Sequence, residues 1–158
     1  MAATKKNSQD EIKVNEKKWG KPAVENGWTL LPNILLERQA VLGINATEIN
    51  VLLHILKHWW QADNLPFPEM NTIAQAMGVS RSTVQRSIRR MEGAGLIQRI
   101  ARKAANGGNT SNKYDFSGLV KHLEPYAVDE LKKKKTSKSE KAKRLTPKGN
   151  HPGLKVVK

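Results

Sequence analysis

The chain has 158 residues, with 28 Lys and Arg against 14 Asp and Glu, so its formal net charge is +14. This length suits one domain with tails rather than two domains. The absence of cysteine excludes disulfides, thiol catalysis and thiolate metal sites. No apolar run is long enough for a membrane span, and the polar first ten residues do not resemble a secretory signal. We therefore expect a cytoplasmic protein.

The positive charge is concentrated in two segments. Residues 81–113 carry eight basic residues and one acid, Glu92, for a net charge of +7. Residues 132–158 carry eleven basic residues and one acid, for +10. Because basic side chains that meet phosphates release condensed counterions, a polyanion is the natural partner of such segments. The tail 132–158 is predicted to be disordered. It either contacts nucleic acid or a protein without sequence preference, or only solvates the chain.

The first predicted elements surround a short apolar entry. Residues 1–26 are polar and without period, which predicts a flexible N-terminal arm that could hold a short helix. Tryptophans, glycines and a proline between residues 19 and 28 indicate a turn-rich connection. A helix over 33–42 that ends at Gly43 is expected to follow.

A longer amphipathic helix is predicted over 46–61. Asn45 is its expected N-cap, and Glu48 stands at the position that closes a capping box. The helix has two apolar faces, one with Ile49, Leu52, Leu53, Leu56 and Trp60, the other with Val51, Ile55 and Trp59. Such a helix is either wrapped by its own domain or shared with another subunit.

The next segment has the pattern of two short helices joined by a tight turn. Residues 69–77 predict a first helix, and Gly78 occupies the position where a left-handed backbone ends it. Ser80 is the expected cap of a second helix over 81–92. The apolar positions predicted to face inward are Ile73, Ala74 and Met77 in the first helix and Val84, Ile88 and Met91 in the second.

A β-hairpin and a C-terminal helix complete the predicted domain. Residues 96–100 and 113–116 predict two strands, with a glycine-rich tip at 106–109. From Ser117 a helix is expected to run to about Leu131 with an interruption near Pro125. We predict no fold beyond residue 131.

The segment TIAQAMGVSRSTVQRSI, residues 72–88, resembles the signature of winged helix-turn-helix proteins. The small Ala74, the turn at Gly78 and Val79, and the anchors Val84 and Ile88 stand in register with that signature. The resemblance covers roughly 45–116. It implies a mainly α fold with a small β-hairpin, a winged helix-turn-helix domain over 27–131 and double-stranded DNA as partner.

The candidate DNA-binding residues lie on the second helix of this motif and on the hairpin, or wing. At ~100° per residue, the helix face opposite Val84 collects Ser82, Gln85, Arg86 and Arg89. Thr83 and Arg90 lie at the edge of this face, and Ser80 and Arg81 lie near the helix start. We expect residues 80–86 to meet base edges in the major groove, and Arg89 and Arg90 to meet phosphates. The wing candidates, expected at the backbone or minor groove, are Arg99, Arg102, Lys103, Asn106, Asn109 and Lys113. The alternative is that these charges are only solvated.

Three functions follow from these patterns. The first is a sequence-specific transcriptional regulator associated with the nucleoid, expected to be a homodimer through helix 46–61, the C-terminal helix or both. The second is a DNA-binding component of plasmid or phage replication or partition. Residues 27–36, GWTLLPNILL, and 67–97 resemble winged-helix domains of replication initiators. The third is a protein-interaction winged helix without DNA binding.

No pattern of an enzyme, cofactor or metal site stands out. His54 and His58 have the i,i+4 spacing of a zinc pair but lack a third ligand nearby, so partial burial is the favoured interpretation. Trp59 and Trp60 could stack on bases, although a core or dimer contact fits their helix better. We expect no enzymatic activity.

Overall fold

The computed structural model describes residues 12–103, 105 and 110–145, with side chains up to residue 141. Seven helices and two strands follow one another along these residues. Helix α1 covers 12–19. The other elements are α2 (Lys21–Glu25), α3 (Asn33–Glu37), α4 (Ala46–Leu56), α5 (Met70–Met77), α6 (Arg81–Gly93), β1 (Gln98–Ile100), β2 (Lys113–Asp115) and α7 (Ser117–Leu145).

Helix α4 lies at the centre of the domain. Asn45 and Glu48 close the predicted capping box, with the Asn45 side chain accepting from the Glu48 backbone and the reverse bond also formed. The helix ends at Leu56, five residues earlier than predicted, and Trp59 turns back onto the Phe116 ring with centroids 5.2 Å apart. Trp60 is 74% exposed, outside the core. Helix α3 is likewise shorter than predicted, and turns occupy 38–43.

Helices α5 and α6 form the predicted helix-turn-helix unit. Gly78 adopts φ 65°, a left-handed conformation that lets the chain leave α5, and the Val79 amide donates to the Ala74 carbonyl at 3.0 Å. Ser80 then caps α6, its side chain accepting from the Thr83 backbone. The core behind these helices is a single cluster that includes Leu52, Ile55, Ile73, Ala74, Val84, Ile88, Met91, Leu96, Tyr114 and Phe116.

The hairpin after α6 is short and antiparallel. Arg99 pairs with Tyr114 at the middle of its register. Tyr114 and Phe116 are buried under the sheet, and the Tyr114 amide donates to the Pro66 carbonyl at 2.9 Å. The hairpin is therefore fixed both to the core and to the loop before α5. Together with the helix-turn-helix unit, it confirms the predicted winged helix-turn-helix fold.

Helix α7 differs from the prediction in two respects. It runs without interruption through Pro125, and it reaches Leu145, inside the segment for which no fold was predicted. Burial of Leu119 and Leu123 anchors the helix before the proline, and an ion pair between Arg38 and Glu130 anchors it after. These contacts offset the backbone hydrogen bond that a proline removes. None of the described helices is long and apolar enough to cross a membrane.

Candidate nucleic-acid interface

The outer face of α6 carries exposed cations. Val84, Ile88 and Met91 are buried against the core, which turns Arg81, Arg86 and Arg89 to the surface. Among the described residues, none of these three guanidinium groups forms an ion pair or hydrogen bond. Over two turns of α6, this face is therefore basic and exposed, and its three guanidinium groups have no partner among the described residues. Gln85 and Thr83 are half-buried beside it, and Ser82 is exposed.

The start of α6 is held by a group of hydroxyls. Ser80 Oγ accepts from the Thr83 amide at 3.2 Å and lies 2.8 Å from Ser82 Oγ and 2.9 Å from Thr83 Oγ1. The Ser80 hydroxyl therefore has a structural role, since it accepts from an amide of the first turn, which also donates to the Ser80 carbonyl at 3.0 Å. Ser82 is the member of the group best placed to meet an external partner as well.

Arg90 is engaged by its own subunit. Its Nε lies 3.1 Å from Oε1 of Glu48, whose side chain is only 3% exposed, while the Arg90 side chain is 62% exposed. Removing one partner of such a pair leaves a buried charge uncompensated. Arg90 therefore links α6 to α4, and its contact with phosphate stays a prediction.

Arg99 is also engaged, by the one acid of the basic segment. Its Nε donates to Glu92 Oε2 at 2.9 Å, its Nη2 donates to the same oxygen, and its backbone amide donates to Glu92 Oε1 at 3.1 Å. These hydrogen bonds, above all those from the side chain, lower the pKa of Glu92. Arg99 thus joins the end of α6 to the first strand of the wing, and its contact with DNA stays a prediction.

We expect Glu92→Gln to destabilise the fold by about 1 kcal/mol at neutral pH, since the pair is partly exposed. Because the pKa of Glu92 is lowered on folding, its stabilising contribution is complete above the ordinary glutamate pKa. The contribution is lost as pH falls through the lowered value. Urea unfolding of both forms should show a difference at pH 7 that disappears in acid. Glu124→Gln, at an exposed carboxylate of α7, is the control and should match wild type.

The remaining cations of the wing differ in their surroundings. The Arg102 guanidinium lies 4.1 Å from the centroid of the Phe67 ring, so the loop before α5 supports it. Lys103 is exposed and Lys113 is half-buried. Asn106 and Asn109 lie outside the described residues.

A polar cleft separates α6 from the wing. Its volume is about 490 Å³, and its lining includes Glu69, Asn71, Arg81, Asn112 and Tyr114. The cleft joins the start of α5, the start of α6 and the returning strand. Burial raises the pKa of the Tyr114 phenol, so this group stays neutral. A ligand that spans helix and wing would cross this cleft.

His54 lies in α4 and His58 lies two residues beyond its end. Desolvation, and then the nearby Lys57, lower the pKa of both histidines, which favours neutral imidazoles. Among the described residues, no group of three potential ligands is placed to hold a metal ion. The partial burial predicted for the pair fits His54, whereas His58 is exposed.

A family comparison agrees with this geometry. Residues 42–97 match the model of a helix-turn-helix domain family. These residues are similar to that family, and the described structure has the fold of a winged helix-turn-helix. The matched residues run from the turn before α4 to the residue before β1, so they include the capping box, the Gly78 turn and the whole exposed face of α6.

Several solved structures are also similar to this chain. The N-terminal domain of the DnaD protein from Geobacillus kaustophilus HTA426 is 24% identical, covering 75% of this chain and 93% of that one at a TM-score of 0.49. MepR of S. aureus, in a complex with DNA, is 21% identical, covering 72% and 88% at 0.42. No curated protein is significantly similar to the chain.

Three supporting residues were missed by the sequence interpretation: Glu48, Phe67 and Glu92. Glu92 had a signal, because it is the single acid in a run of eight basic residues. Glu48 had another role assigned, as the capping residue of α4, and its second oxygen pairs with Arg90. Phe67 had no signal, since its contact with Arg102 depends on how the loop before α5 folds over the wing.

Proposed function

We propose that this protein binds specific sequences of double-stranded DNA and regulates transcription. Helix α6 enters the major groove, and the wing contacts the backbone or the adjacent minor groove. The observation that carries the proposal is the exposed face of α6, where Arg81, Arg86 and Arg89 have no partner among the described residues. Because the opposite side of α6 is buried, these three arginines are held in position at the surface. No described acidic residue neutralises them.

Within this face, the residues divide by the part of DNA that they meet. Arginine donates two hydrogen bonds to guanine and glutamine pairs with adenine, so Arg86 and Gln85 are assigned to base edges. Ser82 and Arg81 lie near the helix start, where recognition helices approach bases. Arg89, one turn further, is assigned to phosphate together with Lys103 of the wing. Arg90 and Arg99 act indirectly, by holding α6 and the wing in place.

The proposal includes a homodimer. Of the two helices predicted to carry the interface, α4 has Val51, Leu52 and Ile55 fully covered by its own domain. Helix α7 instead keeps Val120, Val128 and Leu131 exposed by 51, 43 and 58%. The C-terminal helix is therefore the better supported route to a subunit contact.

A role in plasmid or phage replication or partition is the second candidate. It uses the same α6 and wing, and the observation in its favour is the resemblance of residues 27–36 and 67–97 to initiator domains. A protein-interaction role without DNA is disfavoured because it gives the exposed arginines of α6 no anionic partner.

The test is selection of bound fragments from genomic DNA with the full-length protein. We expect enrichment of a short site, two-fold symmetric if the protein binds as a homodimer. Sites at promoters support regulation, whereas short repeats clustered at an origin support replication. Recovery of fragments without a common sequence would refute sequence-specific binding.

A further inference from the structure

The C-terminal part of α7 projects from the domain as a charged rod, the α7 arm, defined as residues 131–145. Every side chain described in it, from 131 to 141, is exposed. At 1.5 Å per residue, the arm is about 22 Å long. The basic residues among its described side chains are Lys132, Lys133, Lys134, Lys135, Lys138 and Lys141, against Glu140 alone.

The direction of the arm is set by contacts immediately before it. Arg38, next to α3, pairs with Glu130, and its guanidinium lies 5.7 Å from the centroid of the Tyr126 ring. Glu130 also accepts from Lys133 at 3.4 Å. The arm is therefore the continuation of an anchored helix, in contrast to a tail that samples all directions.

The arm is unfavourable as an isolated helix. Lys134 and Lys138 stand at i,i+4, and Lys138 and Lys141 at i,i+3, where like charges repel. No apolar residue stands between Leu131 and Ala142 to pack against another element. A ligand of opposite charge would remove the repulsion and stabilise the helix.

We propose that the α7 arm is a second binding site for double-stranded DNA, separate from α6 and the wing. Lysines around the whole circumference suit the regular phosphate rows of a duplex, which need no particular side-chain order. The arm has no aromatic residue on which single-stranded bases could stack, and no apolar stripe to enter a membrane. This proposal rests on the proposed function. It adds sequence-independent contacts with DNA to the sequence-specific contacts of α6 and the wing.

The test begins with Lys134, Lys138 and Lys141 replaced together by glutamine in the full-length protein. On a labelled duplex of arbitrary sequence, several helical turns long, we expect affinity at low salt to fall about tenfold. The slope of log affinity against log salt should decrease by up to about 2.7, which is about 0.9 for each lysine–phosphate pair removed. Glutamine at the exposed Lys13, Lys17 and Lys18 of α1 removes the same charge and should change affinity much less. Equal effects of the two variants would overturn the site.

A second variant tests the rod itself. Two glycines inserted between Leu131 and Lys132 keep every lysine but uncouple the arm from its anchor. We expect this insertion to weaken duplex binding several-fold, and unchanged binding would overturn the role of the helix. Energy transfer between two differently labelled duplexes distinguishes a second DNA molecule from a longer contact on the same one, and either result supports the site.

The experiments can refute the proposed arm site and the proposed function independently of each other. A protein without a preferred sequence, whose arm variants still lose duplex affinity, would refute sequence-specific recognition and keep the arm. Arm variants that bind duplex DNA like wild type, in a protein that retains its preferred site, would refute the arm alone. That second result includes the case in which the arm binds an acidic protein.

Discussion

Alanine at both Arg86 and Arg89 is expected to lower affinity for the selected DNA site by roughly 1–3 kcal/mol for each interaction with a base that is removed. Neither side chain has an intramolecular partner among the described residues, so their removal leaves no buried charge behind. The fold should therefore survive, and its unfolding midpoint in urea should match wild type. Affinity is measured by titration of a labelled site at fixed salt, because the salt concentration alone changes affinity by orders of magnitude.

The single variants distinguish the base contact assigned to Arg86 from the phosphate contact assigned to Arg89. Arg86→Ala should relax preference at one base pair, whereas Arg89→Ala should weaken binding to all sequences equally and reduce the salt slope by about 1. Alanine at the exposed Lys17 and Lys18 of α1 is the matched loss of two charges and should leave site preference unchanged. A double arginine variant that binds the site as tightly as wild type would refute the assignment of α6.

The elements predicted well from the sequence are those defined by local chemistry. Ser80, Gly78 and the capping residue Asn45 each act within four residues of their own position, so their patterns are visible in the sequence. The length of α7 was not visible in this way. The ion pair that anchors this helix beyond Pro125 joins Arg38 and Glu130, which lie 92 residues apart. A contact of that separation has no periodic signal.

The same distinction applies to the interface. Helical periodicity correctly places Arg86 and Arg89 on the surface, because Val84 and Ile88 determine which side of α6 is buried. It does not tell a free cation from a paired one. Arg90 and Arg99 have the same residue type and a similar placement, but α4 and the end of α6 each provide a carboxylate that holds them. Tertiary pairing therefore reduces the basic face to fewer available charges than the net count suggests.

Gly118→Ala is expected to destabilise the domain by about 3 kcal/mol, toward the upper end for overpacking in a tight site. A β-carbon at this position would lie 2.0 Å from the Gly95 carbonyl oxygen and 3.3 Å from the Leu96 carbonyl oxygen. Both are backbone atoms, so no side chain can rotate away to make room. The amide of Leu119 meanwhile donates to the Leu96 carbonyl at 2.7 Å, which holds the start of α7 against this turn.

The clash must move α7 as a unit, because its buried residues Leu119 and Leu123 follow directly in the same helix. Gly93→Ala is the control: a β-carbon there has no neighbour within 4 Å, and alanine is the better helix former. That variant should equal or exceed wild type by up to about 1 kcal/mol. The measurement is the urea unfolding midpoint of wild type and the two variants. Equal midpoints for Gly118→Ala and Gly93→Ala would show that the start of α7 does not pack tightly against the turn at Gly95.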